Sequence, residues 1–210
     1  MNIHHFKDRK EAGQLLADRL LDYKNTEAVV LAIPRGGVPV GDEIARELEL
    51  PLDVILSKKI GHPENPEFAI GAVSLDTEIM DTGTEVPDTF IYKEIQRLKQ
   101  ILRQRYDLYE SRLEMLQLKG KTVILVDDGI ATGSTLLVCI SMLRRFQPSS
   151  IVVAVPVIPT DRIRTFETAA DRLIYLNAPE LFNSVGQFYE QFDQVEDNEV
   201  IRILRAARKK

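Results

Sequence analysis

Residues 123–135 read V-I-L-V-D-D-G-I-A-T-G-S-T. Four apolar, mostly β-branched residues have the character of a strand buried on both faces. The small-residue loop that follows leads into a second apolar run, so the stretch reads strand, loop, helix. Two adjacent aspartates, Asp127 and Asp128, stand where the strand ends. Like charges placed there repel each other and add nothing to packing, so they mark a site. In an open parallel sheet, ligands bind at the carboxyl ends of strands, where loops pass into helix N-termini. Gly129 and Gly133 let backbone N–H groups turn inward, Ser134 and Thr135 can cap the helix, and the positive helix end favours an anion. The loop from Asp128 to Thr135 therefore reads as a phosphate cradle.

It is neither a Walker A motif, having no G-K-[ST], nor a dinucleotide fingerprint, whose glycines come earlier and whose acid comes later. Carboxylates accept hydrogen bonds from vicinal hydroxyls and bind hard cations. Asp127 and Asp128 thus suit a sugar whose phosphate lies in the loop and whose other end carries Mg²⁺. A phosphorylated ribose meets all three demands. The plainer alternative, one aspartate capping the helix and the other in water, accounts for a single acid but not for the pair with its loop.

The flanking sequence repeats the pattern. Glu11 to Tyr23 has helical spacing, Ala28 to Ile33 is a short apolar strand stopped by P-R-G-G, Val38 to Leu50 reads as a helix, and Pro51 to Leu56 as the next strand. That is a βαβ unit. After Lys119-Gly120-Lys121, the strand T-V-I-L-V is followed by a helix from about Ser134 to Gln147. A strand over Ser150–Val157, a helix over Asp161–Ala170 and a final strand R-L-I-Y-L complete the series. The expectation is an α/β fold with a doubly wound parallel sheet. Ser57 to Phe68 is turn-rich and polar, and it opens a small antiparallel flexible-loop insertion that includes strand-like pieces at A-I-G-A-V-S-L and Glu78 to Asp81. Tyr92 to Leu118 reads as one long charged helix, striped by Ile95, Leu98, Ile101, Leu102, Leu108, Leu113 and Leu116, either a homodimer surface or a cover over the sheet. The expected organisation is a single domain over 1–210, with the insertion at 57–91, the long helix at 92–118 and a C-terminal hood and tail at 177–210.

Bulk composition narrows the function. Hydrophobic content of 44% and charged content of 28% are ordinary for a globular domain. A net charge of -5 shows no global basic field, which disfavours nucleic acid as a partner. The one cysteine, Cys139, lies in L-L-V-C-I and reads as a buried structural thiol. The N-terminal stretch has no apolar leader, and no apolar run approaches the roughly 20 residues that cross a bilayer. The expectation is a soluble cytoplasmic protein with no membrane contact.

With these residues in view, V-I-L-V-D-D-G-I-A-T-G-S-T resembles the phosphoribosyl-diphosphate (PRPP) binding motif of the type I phosphoribosyltransferases. The resemblance implies that Asp127 and Asp128 hold the ribose hydroxyls and help place Mg²⁺, while Gly129, Ala131, Thr132, Gly133, Ser134 and Thr135 take the 5′-phosphate. It also implies a second loop that grips pyrophosphate, for which A-I-P-R-G-G-V supplies Arg35, Gly36 and Gly37. A basic pair before a mobile loop is implied too, for which Lys58 and Lys59 stand in position, with His62 close behind. The stretch K-K-I-G-H-P-E-N-P-E-F-A-I-G-A-V together with P-R-G-G is similar to bacterial phosphoribosyltransferase-like proteins of unassigned substrate. The tail from Pro179 to Asp193 carries four aromatics, and Phe182, Phe188 or Tyr189 either stacks on a base or packs an amphipathic helix onto the core. Ala131 stands where hypoxanthine-guanine members carry an aspartate, which speaks against a 6-oxopurine acceptor.

The resemblance thus implies a Mg²⁺-dependent pentosyl transfer from PRPP to a small-molecule, nucleobase-like nitrogen acceptor, with release of pyrophosphate. Two other readings stay open: a PRPP-binding regulatory protein without turnover, and a phosphatase or kinase acting on a phosphosugar.

Overall fold

The computed structural model describes residues 4–75, 77–80, 83, 86–111 and 116–208. Its centre is a five-stranded sheet of β1 (Val29–Ala32), β2 (Leu52–Val54), β6 (Thr122–Val126), β7 (Ser150–Val157) and β8 (Arg172–Asn177), in the order β2-β1-β6-β7-β8. Every pairing in it is parallel. A second, antiparallel sheet is formed by β3 (Lys58–His62), β4 (Asn65–Val73) and β5 (Glu78–Met80). The helices are α1 (Arg9–Asp18), α2 (Gly37–Leu48), α3 (Asp88–Tyr109), α4 (Ser134–Arg145), α5 (Ile163–Ala169) and α6 (Asp197–Ala207).

Strand residues alternate between two cores because successive side chains point to opposite faces of a sheet. Val30, Ala32, Ile124, Val126, Val152 and Ala154 pack with Leu16 and Leu20, with Val40 and Ile44 of α2, and with Val200 and Leu204 of α6. Val29, Leu31, Val123, Leu125, Ile151 and Val153 pack on the other side with Leu136, Cys139 and Ile140 of α4 and Phe166 of α5. Strands buried on both faces must be apolar without alternation, as β1, β6 and β7 are. The doubly wound class expected from the sequence is the fold observed.

Three elements differ from expectation. The long helix starts at Asp88 and ends at Tyr109, where Glu110 takes a left-handed conformation (φ 52°). Ile95, Leu98 and Leu102 serve the α2/α6 core, whereas Leu116, the last residue of the stripe, packs with Leu118 against the α4 core across the sheet, so one straight helix cannot carry both ends of the sequence stripe. Leu113 lies outside the described residues. The stretch Ser57–Phe68, expected to be turns, supplies β3 and the start of β4, a hairpin with a register shift around Gly61. Finally, the tail contains α6, which the sequence reading passed over. Val200, Ile203 and Leu204 have the i, i+3, i+4 spacing of a helix face and are buried.

Candidate functional site

Strand order makes a crevice between β1 and β6. The chain leaves β1 for β2 on one side and reaches β6 on the other, which is the switch point where open α/β sheets bind ligands. The β1 loop, Pro34 to Gly36, and the β6 loop, Asp127 to Gly133, face each other across it. They are joined backbone to backbone, with Ile33 donating its N–H to the Val126 carbonyl at 2.9 Å.

Glycine permits this approach. A Cβ on Gly36 would lie 1.9 Å from Oδ2 of Asp128, and one on Gly37 would lie 2.8 Å from the Val126 carbonyl oxygen and 2.9 Å from the Asp127 Cα. Of the two glycines expected to offer N–H donors to a ligand, Gly37 instead gives its N–H to the Ile33 carbonyl at 3.1 Å, closing the first turn into α2; both glycines let α2 begin directly against the acidic pair. A cis peptide joins Pro34 to Arg35 in this loop.

The acids are partly buried and held by named partners. Oδ1 of Asp127 accepts the Asp128 N–H at 2.9 Å. Oδ2 of Asp128 accepts from Nε of Arg9 at 2.8 Å, with side-chain exposures of 11% for Arg9 and 16% for Asp128. The Asp128 carbonyl accepts from the Tyr189 hydroxyl at 2.7 Å. Burial, and then the negative charge of Asp128, hold the Asp127 carboxyl well above its ordinary range. Burial also raises Asp128, against the pull of the Arg9 guanidinium. The pair shares an excess of negative charge that a cation or hydroxyl donors would relieve.

Beyond the acids, the β6 loop encloses a cavity of about 180 Å³ lined by Asp127, Gly129, Ile130, Ala131, Thr132, Gly133, Ser134, Thr135 and Leu136. Gly133 has φ 76°, and a Cβ there would lie 2.5 Å from the Phe166 ring, so the turn into α4 requires glycine twice over. The N–H groups of the first turn of α4 have no intrahelical acceptor and open toward this space.

Arg35 lies in the β1 loop, with Nη1 3.8 Å from Glu196 Oε2 and 4.0 Å from Asp197 Oδ1. Asp197 also accepts from the Tyr109 hydroxyl at 2.5 Å, and burial together with that bond raises the Tyr109 pKa to about 12. Lys58 and Lys59 are exposed at the start of β3, opposite Val73 and Ala72 of β4, on a strand of the smaller sheet where the sequence led us to expect the approach to a loop. His62 ends the same strand, its Nδ1 accepting the Glu64 N–H at 3.2 Å. The fold thus brings the Arg35 loop and the acidic pair together and puts the lysines on another element.

Of the hood aromatics, Phe188 and Tyr189 are 2% and 6% exposed, packed with Phe6, Ala12 and Val157, so neither presents a face to a ligand. Phe182 stacks on Phe188 at 5.8 Å. Phe188 and Tyr189 follow the packing alternative, with Phe188 in a short 3₁₀ turn, Val185–Phe188, where an amphipathic helix was expected. Sequence reasoning missed Arg9, the Tyr189 hydroxyl and the acids Glu196 and Asp197. Each reaches the crevice by long-range packing, and no local motif marks them.

For a divalent cation, the donor chemistry fits in part. Two partly buried carboxylates are hard-cation ligands, but among the described residues no group of three or more His, Cys, Asp or Glu surrounds one point. A cation here would take its remaining oxygens from a bound ligand. No helix among the described residues is long and apolar enough to cross a membrane.

Comparison with known proteins agrees with this geometry. The model of the phosphoribosyl transferase domain matches residues 3–192. A provisionally named phosphoribosyl transferase of Mycobacterium tuberculosis, from strains CDC 1551 and H37Rv, is 38% identical over 208 residues, covering 96% of this chain and 47% of that protein. The chain spans about half the length of these curated relatives. The crystal structure of TT1426 from Thermus thermophilus is 38% identical and superposes with a TM-score of 0.86, covering 95% of this chain and 97% of that one. AQ2163 of Aquifex aeolicus, 14% identical with a TM-score of 0.51 over 85% of this chain and 78% of that one, shares the fold.

Proposed function

The chain belongs to the phosphoribosyl transferase domain family, and from that premise we propose that it transfers the 5-phosphoribosyl group of PRPP to a nitrogen acceptor. The C1′–O bond to pyrophosphate breaks, the C1′–N bond forms, pyrophosphate leaves with the bonding pair, and the proton lost from the acceptor nitrogen passes to pyrophosphate or solvent. The observation that carries this reading is the meeting of two loops: Gly36 and Gly37 rest on Asp128 and Asp127, and Asp127 lines the cavity at the start of α4.

In this reading the 5′-phosphate lies in the loop from Gly129 to Thr135, which gives it backbone donors and the positive end of α4. Asp127 and Asp128 accept the ribose hydroxyls, fixing the sugar so that C1′ faces the acceptor. Arg35 and the Gly36 N–H take the pyrophosphate, the Gly37 N–H being given to the Ile33 carbonyl at 3.1 Å, and Lys58 or Lys59 offsets the charge developing on it. Asp127 and Asp128 are the residues that would hold Mg²⁺, which would supply further charge neutralisation at the leaving group. No residue is needed as a nucleophile. Ala131, carrying no acid, leaves a 6-oxopurine without a partner for its ring proton. A homodimer across α3 belongs to the same reading, supported by Tyr92 at 66% and Leu108 at 46% exposure on that helix.

A binding protein without turnover is favoured by one observation: the Arg35 charge is already met by Glu196 and Asp197. Calorimetric titration with PRPP and Mg²⁺, followed by a panel of nucleobases scored for pyrophosphate release, decides between the two. Tight binding with base-dependent release supports the transferase, and binding without release supports the alternative. A folded Asp127→Asn, Asp128→Asn variant that binds PRPP as tightly as the parent refutes both.

A further inference from the structure

Asp128 is gripped from the opposite end of the chain. Its Oδ2 lies against the Cα of Gly36, where no side chain could fit, and accepts the Nε–H of Arg9 at 2.8 Å, a contact spanning 119 residues. Arg9 is held independently of that carboxylate. Its Nη1 donates to the Asp193 carbonyl at 2.8 Å, and its guanidinium carbon stands 3.8 Å above the Phe192 ring. Arg9 is also the first residue of α1, just after Asp8, whose Oδ1 accepts the N–H groups of Lys10 and Glu11. A guanidinium fixed by a carbonyl, a ring and a helix start has little freedom to swing away.

We propose that Arg9 is the positioning residue for Asp128, holding the carboxylate by Oδ2 so that its other oxygen is presented to the ribose. The Arg9 hydrogen bond falls on Oδ2, and a carboxylate held by one oxygen keeps acceptor capacity on the other. The backbone on either side is fixed as well, by the Asp127 carboxylate on the Asp128 N–H and the Tyr189 hydroxyl on its carbonyl, so side-chain rotation is the freedom that remains for Arg9 to remove. Phe192, 37% exposed, serves as the platform for the guanidinium, which gives this tail aromatic a role other than base stacking. Lysine cannot reproduce the arrangement, because one ammonium does not offer the fork that reaches Asp128 and the Asp193 carbonyl while lying flat on the ring.

The inference rests on the phosphoribosyl reading, and the test separates the two. Dissociation constants of PRPP with Mg²⁺, ribose 5-phosphate and inorganic pyrophosphate are measured by calorimetry on the parent, Arg9→Gln, Arg9→Lys and Phe192→Leu. Arg9→Gln is expected to weaken both ribose-bearing ligands about tenfold while leaving pyrophosphate within about twofold. Arg9→Lys should recover only part of the loss, and Phe192→Leu should weaken the same two ligands by a smaller factor. A general loss of structure would move all three ligands together, and that result overturns the proposal. So does a folded Arg9→Gln protein with unchanged or tighter PRPP binding, which would make Arg9 a bystander or a competitor. Parent protein that binds neither PRPP nor ribose 5-phosphate overturns the phosphoribosyl reading and this inference with it.

Discussion

Gly36→Ala tests the central geometric claim, because helix propensity and packing predict opposite signs. Gly36 has φ -61° and ψ -35°, ordinary right-handed backbone just before α2. Alanine at such a position stabilises by about 0.4–1 kcal/mol through the unfolded chain. Against this, the new Cβ would stand 1.9 Å from Asp128 Oδ2 and 2.5 Å from its Cγ. Relief requires Asp128 or the β1 loop to move. Asp128 cannot retreat without stretching its 2.8 Å contact to Arg9, in which both side chains are largely enclosed. Overpacking costs about 1–3 kcal/mol, and a strained charge-assisted hydrogen bond adds on the order of 1 kcal/mol. With the propensity gain subtracted, a net loss of about 1–3 kcal/mol remains, which lowers Tm by roughly 2–12 °C in a domain of this size. Scanning calorimetry on the parent, Gly36→Ala and Gly120→Ala measures it. Gly120, at φ 75° with nothing within 4 Å of its Cβ position, reports the cost of left-handed backbone alone, about 1–2 kcal/mol. A Gly36→Ala protein that melts at or above the parent refutes the contact between the two loops.

Three more expectations concern the same site and its surroundings. Asp127→Asn should melt higher than the parent at pH 7. A carboxyl whose pKa is raised in the folded state favours that state below its unfolded pKa of about 3.9 and loses this contribution as pH rises through the folded value. The gain should therefore shrink as pH falls toward 4, and a pH-independent difference would contradict the linkage. Tyr189→Phe leaves the Asp128 carbonyl without its donor and should cost about 1–3 kcal/mol in urea denaturation, with weaker PRPP binding; an unchanged midpoint would show that water replaces the hydroxyl. The Cys139 thiol, with its pKa pushed up to about 12 by burial, should react with a thiol reagent only as fast as the protein opens, so labelling at the rate of a free thiol in native buffer would show it exposed.

Much of the fold was legible because its elements are local. The unbroken apolar runs of β1, β6 and β7 announce strands covered on both faces, and the small-residue loops after two of them announce turns into helices. The acidic pair was equally legible, since adjacent carboxylates at the end of a buried strand have no packing rationale. Less legible was the end of α3. Leu113 and Leu116 continue a helical stripe on paper, but Leu118 serves the core on the far side of the sheet, and a spacing rule does not say which core a leucine joins. α6 was less legible for a different reason: its buried residues Val200, Ile203 and Leu204 are interleaved with Arg202 and Arg205, which blurs the apolar period.

Sequence alone therefore determined the parallel sheet, the small-residue loop that leads from Asp128 into α4 and the adjacency of the acids, because strand and helix periods and residue chemistry are properties of neighbours along the chain. Tertiary structure alone decided what touches those acids. That Gly36 must be bare because Asp128 lies on it, that Arg9 and Tyr189 hold the same aspartate from sites 119 and 61 residues away, and that Lys58 and Lys59 belong to a separate sheet all depend on strand order. Order is set by which apolar faces bury together across the whole domain, and no local pattern encodes it.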